Sequence, residues 1–144
     1  MVRTGSAIAL IITSASHALL AQDAKRDSEA ILGKWELVTA VYDGKERVDK
    51  EAVSWTFNKS HVVYGNDTQD AYKLNLATKP KQIDVTVVPP KVDGNVERAV
   101  LLGIYELKGN AIRICIGHTE KDRPKDFASG AGRNLFTLKR VKSE

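Results

Sequence analysis

Gln82-Ile83-Asp84-Val85-Thr86-Val87 alternates strictly between polar and apolar residues. A side-chain period of two marks a strand with one face in the core, so Ile83, Val85 and Val87 are predicted inward. The same reading extends upstream. Lys79-Pro80-Lys81 is a break, and Ala71 to Leu76 before it places Tyr72, Leu74 and Leu76 together. His61 to Tyr64 is a short strand closed by Gly65-Asn66-Asp67, and Ser54-Trp55-Thr56-Phe57-Asn58 puts Trp55 and Phe57 on one face. Trp35 to Tyr42 is a first strand ended by Asp43-Gly44, a strong turn signal. The charged residues 45 to 53 read as a loop or one helical turn.

Downstream, Pro89-Pro90 ends the central strand and Asp93-Gly94-Asn95 turns the chain into a long strand from Val96 to Leu107. Lys108-Gly109-Asn110 is a hairpin turn into Ala111 to Ile116. Residues 117 to 132 are the longest irregular stretch, with Pro124, Gly117, Gly130 and Gly132, and Asn134 to Val141 is the last strand. These segments amount to about eight strands on short turns, with no convincing helical apolar period beyond residue 21, and the polar residues 23 to 31 read as a short helix or turn leading into the domain. The predicted fold is all-β, an antiparallel up-and-down barrel of about eight strands, in which closure removes the exposed edges. A barrel of this size is just wide enough for its own side chains or one small ligand.

The chain has 144 residues, 42% of them hydrophobic and 28% charged, which suits one globular domain and not a disordered chain. The formal charge of +4 is spread out, with the densest basic stretch at Lys139, Arg140 and Lys142. That pattern serves solubility and argues against a nucleic-acid partner.

Arg3 precedes the apolar run Ala7-Ile8-Ala9-Leu10-Ile11-Ile12, and small residues follow from Thr13 to Ala18. A basic start, a short apolar core and small residues before a cleavage point read as a secretory signal over 1–21. The apolar run is shorter than a bilayer span, so no stable membrane span is expected after cleavage; the alternative is an uncleaved tether. The domain organisation is then a signal (1–21), a short polar lead-in (22–31) and a barrel domain (32–144). The expected location is exported, periplasmic or secreted. Cys115 is the single cysteine, so no disulfide forms within the chain.

Leu32-Gly33-Lys34-Trp35-Glu36-Leu37-Val38 resembles the Gly-x-Trp opening of lipocalin-like barrels. Further parts are Asp43-Gly44-Lys45, Lys79-Pro80-Lys81-Gln82-Ile83-Asp84-Val85-Thr86, Leu102-Gly103-Ile104-Tyr105-Glu106-Leu107, Ile112-Arg113-Ile114-Cys115, Arg123-Pro124 with Phe127, and Leu138-Lys139-Arg140. In order and spacing they are similar to an uncharacterised lipocalin-like domain family best known from planctomycete bacteria. The resemblance implies a barrel and an exported setting, and no assigned activity. It also implies a barrel floor built from Gly33, Trp35 and Arg140, with the basic side chain packed over the indole.

Catalytic signatures are missing: the sequence has no Gly-x-Ser-x-Gly elbow, no phosphate-binding glycine loop and no His-Glu-x-x-His. His61 and His118 follow the signal, and neither is singled out as a catalytic base. Cys115-Ile116-Gly117-His118 has a metal-ligand spacing, but a closed zinc site needs four ligands. No catalytic residue, metal site or cofactor is therefore assigned. The candidate ligand-binding residues are Trp55, Phe57, Tyr72 and Tyr105 on the barrel wall, with Arg123 and Phe127 on a long loop placed as a lid. The alternative for the first four is a filled core. For the loop it is Arg123 paired to a carboxylate and Phe127 capping the core. The expected function is non-enzymatic binding of a small apolar or amphipathic ligand; the alternative is a filled barrel that docks an envelope protein through its outer surface.

Overall fold

The computed structural model describes residues 26–47, 53–65, 67–87 and 98–142. The expected signal, Asn66, Pro89-Pro90, Asp93-Gly94-Asn95 and the first residues of the Val96 strand lie outside that set.

The chain opens with a short helix, α1 (residues 26–30). Nine strands follow: β1 (Gly33–Tyr42), β2 (Lys45–Arg47), β3 (Ser54–Phe57), β4 (His61–Tyr64), β5 (Gln69–Asn75), β6 (Lys81–Val87), β7 (Ala99–Lys108), β8 (Ala111–Gly117) and β9 (Arg133–Arg140). Every pairing is antiparallel, and β9 returns to pair with β1. The result is a closed up-and-down barrel of eight staves, a lipocalin-like all-β architecture.

The extra strand, β2, does not add a stave. β2 pairs with Ala40–Tyr42 of β1, and β3 pairs with Gly33–Glu36 on the same edge. The two strands lie end to end as one interrupted stave. This corrects the expectation of a loop or helical turn from residue 45. Asp43 and Gly44 both take positive φ, 51° and 79°, which is what a two-residue hairpin turn requires. That turn lays Lys45-Glu46-Arg47 back along β1. All three residues are exposed, so no apolar alternation announces the strand. Their charges also suit the open edge of β2.

A second irregularity sits in β1. Leu37 faces Leu138 and Thr39 faces Thr137, so Val38 is an extra residue, a bulge. It resets the alternation, and Trp35, Leu37, Ala40 and Tyr42 all pack on the interior cluster. Val38 is left 58% exposed.

The strands define two ends. The lower end holds the start of β1, the end of β9 and the β3–β4, β5–β6 and β7–β8 turns. The interior is one cluster of side chains from Ile31 and Trp35 to Phe136 and Leu138. At the lower end Trp35 is fully buried, and its indole N–H donates to the Ile31 carbonyl at 2.8 Å. Arg140 is its cross-strand neighbour, with Cζ 4.2 Å from the ring centroid. The Arg140 guanidinium also donates to the Leu32 carbonyl at 3.0 Å and to that of Ala30. Gly33 has φ of 110°, a backbone conformation closed to most side chains, and a Cβ there would sit 3.4 Å from Arg140 Nη1. Gly33, Trp35 and Arg140 thus lie together where α1 folds across the barrel.

Trp35→Ala should lower stability by about 3–5 kcal/mol, as deletion of large core aromatics does. Urea unfolding measures this; a loss under about 1 kcal/mol would show that Trp35 does not carry the closure of this end.

Candidate functional site

Three regions were candidates for function: the aromatic interior, the upper mouth and the long loop before β9.

The aromatic interior is packed. Trp55 is 8% exposed, Phe57 2%, Tyr72 8% and Tyr105 1%. A ligand-sized space against these rings would leave their faces open to water. Instead Phe57 meets Tyr72 edge-on at 5.3 Å between centroids, and Trp55 meets Phe136 at 5.0 Å. The hydroxyls are committed as well. Tyr72 donates to the Asn58 carbonyl at 2.6 Å, and Tyr105 donates to Asp27 Oδ2 at 2.9 Å. The same Asp27 oxygen takes Lys81 Nζ at 2.8 Å, which ties α1 to β6 and β7. So Phe57, Tyr72 and Tyr105 fill the lower interior, and Trp55 forms the layer above them. For Phe57, Tyr72 and Tyr105 this packing is that of the filled-core alternative, while Trp55 stands at the boundary with the upper interior.

The upper interior differs. Tyr42, Tyr64, Val87 and Leu101 pack on the core from their own strands yet stay only partly buried. Tyr64 stands edge-on to Trp55 at 5.0 Å, and Tyr42 edge-on to Phe136 at 5.6 Å. These contacts make Trp55 and Phe136 the base of the mouth. Two polar groups face the same end. The Tyr64 hydroxyl is hydrogen-bonded to Asp70, and Asn134 Oδ1 lies 2.8 Å from His118 Nε2. Burial, reinforced by Asp70, pushes the Tyr64 phenol well above its ordinary range. On the rim, the Arg47 guanidinium sits 5.3 Å from the Tyr42 ring centroid. The alternation of His61-Val62-Val63-Tyr64 already implied that Tyr64 faces inward with Val62. Asp70 carried no such signal, because an acid at the start of a strand reads as a solvent residue.

The long loop is not a lid, which corrects the expected placement of Arg123 and Phe127. It leaves β8 at Gly117, crosses the outer face of the wall and returns to β9. Arg123 Nη1 donates to Asp84 Oδ1 at 2.7 Å and to the Gly103 carbonyl at 2.8 Å. Asp84 lies between the inward Ile83 and Val85, so it marks the outer face. Phe127 lies under Arg113, with Cζ 4.4 Å from the ring centroid, and Arg113 points outward between Ile112 and Ile114. Pro124 is buried. Cys115 and its cross-strand neighbour Ile104 are buried outside the interior cluster. Cys115 Sγ is 3.9 Å from the Ala128 carbonyl. Burial, the largest cause, raises the thiol pKa, which favours the inert protonated form. Ser129 fastens the far end, accepting from the Gly44 N–H at 2.9 Å.

The remaining chemical groups stay apart. His118 is exposed and faces Asn134 and Asp43, so it does not converge with the buried Cys115. Among the described residues no group of three His, Cys, Asp or Glu side chains could hold a metal. His61 Nδ1 lies 2.8 Å from Ser60 Oγ in an exposed turn. No helix among the described residues is long and apolar enough to cross a membrane.

No protein-family model, curated protein or solved structure matches this chain.

The packing of the loop and the buried phenols generates two expectations. A Cβ on Gly117 would overlap the Asp122 carbonyl oxygen, a backbone atom that cannot rotate away. Gly117→Ala should therefore lift the loop, and Cys115 should react with a thiol reagent at least tenfold faster while the β-sheet circular dichroism is kept. An unchanged rate would mean that the loop does not shield the thiol. Separately, burial and then Asp27 hold the Tyr105 phenol far above its ordinary 10.0. In the unfolded chain it ionises near 10. Its contribution to stability is complete below that pH and is lost as pH rises above it. Denaturant titrations between about pH 10 and 11.5 should show a shallower fall for Tyr105→Phe than for the parent, with Tyr64 and Tyr72 supplying the remaining slope. Equal slopes would show that Tyr105 ionises freely in the fold.

Proposed function

We propose that this chain is an exported, non-enzymatic binding protein that holds a small, largely apolar molecule at the upper mouth of its barrel. One contrast carries this reading. The lower end is sealed by Trp35, Arg140 and the Asp27 contacts, whereas the upper interior is ringed by half-buried Tyr42, Tyr64, Val87 and Leu101. An apolar ring with a few polar groups is the usual make-up of a ligand site. Here the polar groups are Tyr64 with Asp70 and Asn134 with His118. The ligand would rest on Trp55 and Phe136 and would not pass below them, because Phe57, Tyr72 and Tyr105 occupy that space. Its affinity would come mostly from apolar burial, about 25 cal/mol per Å2 before ordering costs. Export rests on the signal-like residues 1–21, and the non-enzymatic assignment on the sequence's lack of catalytic signatures. The resemblance to the uncharacterised lipocalin-like family supports the exported setting.

A second reading has its own observation. The ring-to-ring packing of Trp55, Phe57 and Tyr72 suits a barrel whose interior is purely structural. Such a protein would act in the cell envelope through its outer surface, on a protein partner.

The two readings part in a binding experiment. Native mass spectrometry of the protein purified from its own host should show extra mass that disappears on denaturation. An apolar fluorescent dye should also bind the stripped protein saturably. Leu101→Lys places a charge in the mouth and should weaken dye binding at least tenfold, whereas Val38→Lys on the outer bulge should leave it within twofold. A bare polypeptide mass together with no dye uptake would overturn the mouth as a ligand site and leave the outer-surface reading.

A further inference from the structure

The loop that straps the outer wall does more than cover Cys115. Between its outgoing and returning arms lies a hollow of about 350 Å3, lined by Lys121, Asp122, Arg123, Lys125, Ala131-Gly132 and Arg133. Ligand-holding clefts run from about 300 to 1,000 Å3, so the hollow suits a small molecule and not a polymer. Its lining sets four cations against one carboxylate.

The cations are not equivalent. Arg123 is anchored, with both hydrogen bonds made by Nη1, to Asp84 and to the Gly103 carbonyl. A guanidinium has five N–H donors, and the Nε and Nη2 edge of Arg123, with three, makes no hydrogen bond among the described residues. That edge matches two oxygens of a phosphate in a bidentate pair, with little ordering cost left on binding. Arg133 is held more loosely, 3.5 Å from Asp126. The Asp122 carboxylate is engaged by the Thr119 hydroxyl at 3.0 Å. Lys121 and Lys125 are exposed and have no ion-pair partner among the described residues, so they carry the uncompensated positive charge. On the returning arm the Ala131-Gly132 backbone brings almost no side-chain bulk. Asp43 receives the Gly132 N–H at 2.8 Å and pins that arm to the β1–β2 turn.

We propose that this hollow is a binding site for a small phosphorylated molecule. Arg123 would present the rigid fork, and Lys121 and Lys125 the closing charges. The site lies on the outer face and shares no residue with the upper mouth, so it stands or falls separately from the apolar-ligand reading.

Isothermal titration of the purified protein with inorganic pyrophosphate at low ionic strength tests it. One saturable site is expected. Lys121→Ala combined with Lys125→Ala should weaken it at least tenfold. Both side chains are exposed, so the fold is kept, which circular dichroism checks. A control pair with the same change of net charge, Lys59→Ala with Lys139→Ala, lies at the lower end and should leave affinity within twofold. No saturable heat, or equal weakening by the two pairs, would overturn the proposal by showing a diffuse charge effect. Citrate binding as tight as pyrophosphate binding would overturn the phosphate assignment in favour of carboxylates.

Discussion

The contact between Trp35 and Arg140 joins the first strand to the last across the seam that closes the barrel. Without that seam β1 and β9 would each be an open edge, and the interior cluster would face water along it. The seam is also costly to form. Arg140 reaches the Leu32 carbonyl across 108 residues, so nearly the whole chain must be in place before closure. Such pairing pays its loop-closure entropy before any contact repays it. Several short-range features make the late step favourable. Gly33 supplies the backbone conformation that brings the two side chains together. The indole N–H is satisfied by Ile31 four residues upstream. The guanidinium satisfies two carbonyls ahead of β1, those of Ala30 and Leu32, while its face covers the ring. The residues ahead of β1 are therefore part of the barrel's floor.

The wall uses both of its faces. Inward, aromatic rings fill the lower space and leave the half-buried residues near the upper end. Outward, a second and smaller core forms around Ile104 and Cys115, roofed by the loop that runs from β8 to β9. Gly117 makes this possible by absence of bulk, since a Cβ there would strike the passing loop. Gly103 serves the inner face, in register with the inward Ile83 and Ile116, where a Cβ would come within 2.9 Å of the Cys115 carbonyl oxygen. The two proposed binding functions inherit this division. The proposed apolar guest would lie on the inner face at the mouth, and the proposed charged one on the outer face between the arms of the loop.

How much of this could be read from the residues depended on whether the determining forces were local. Alternation in Gln82–Val87 and Ser54–Asn58 located strands and their inner faces, because burial of every second residue leaves a direct trace. The barrel followed from strand number and short turns. β2 left no trace, since its three residues are all charged and its existence rests on the hairpin turn before it. The bulge at Val38 was equally silent, because one extra residue in an apolar stretch looks like continuity. The site reading fared worse. Trp55, Phe57, Tyr72 and Tyr105 do face inward, as their spacing says, but inwardness does not distinguish a lined cavity from a filled one. That depends on distances between strands remote in sequence. Arg123 and Phe127 belonged to a long loop whose course is fixed by Asp84 and Arg113, partners 39 and 14 residues away, the first bonded and the second stacked. Which side of the wall the loop would take was not encoded nearby.

The lower end has one further property. Val141 donates its N–H to the Lys34 carbonyl at 3.0 Å, so the chain comes in and goes out of the barrel side by side. The start of β1 and the end of β9 thus share one pole of the barrel, opposite the mouth. A tether there would act like the stem of a cup, holding the open rim and the basic hollow away from the surface to which it is fixed. A bridge between the start of β1 and the end of β9 would therefore span only the gap from Lys34 to Val141.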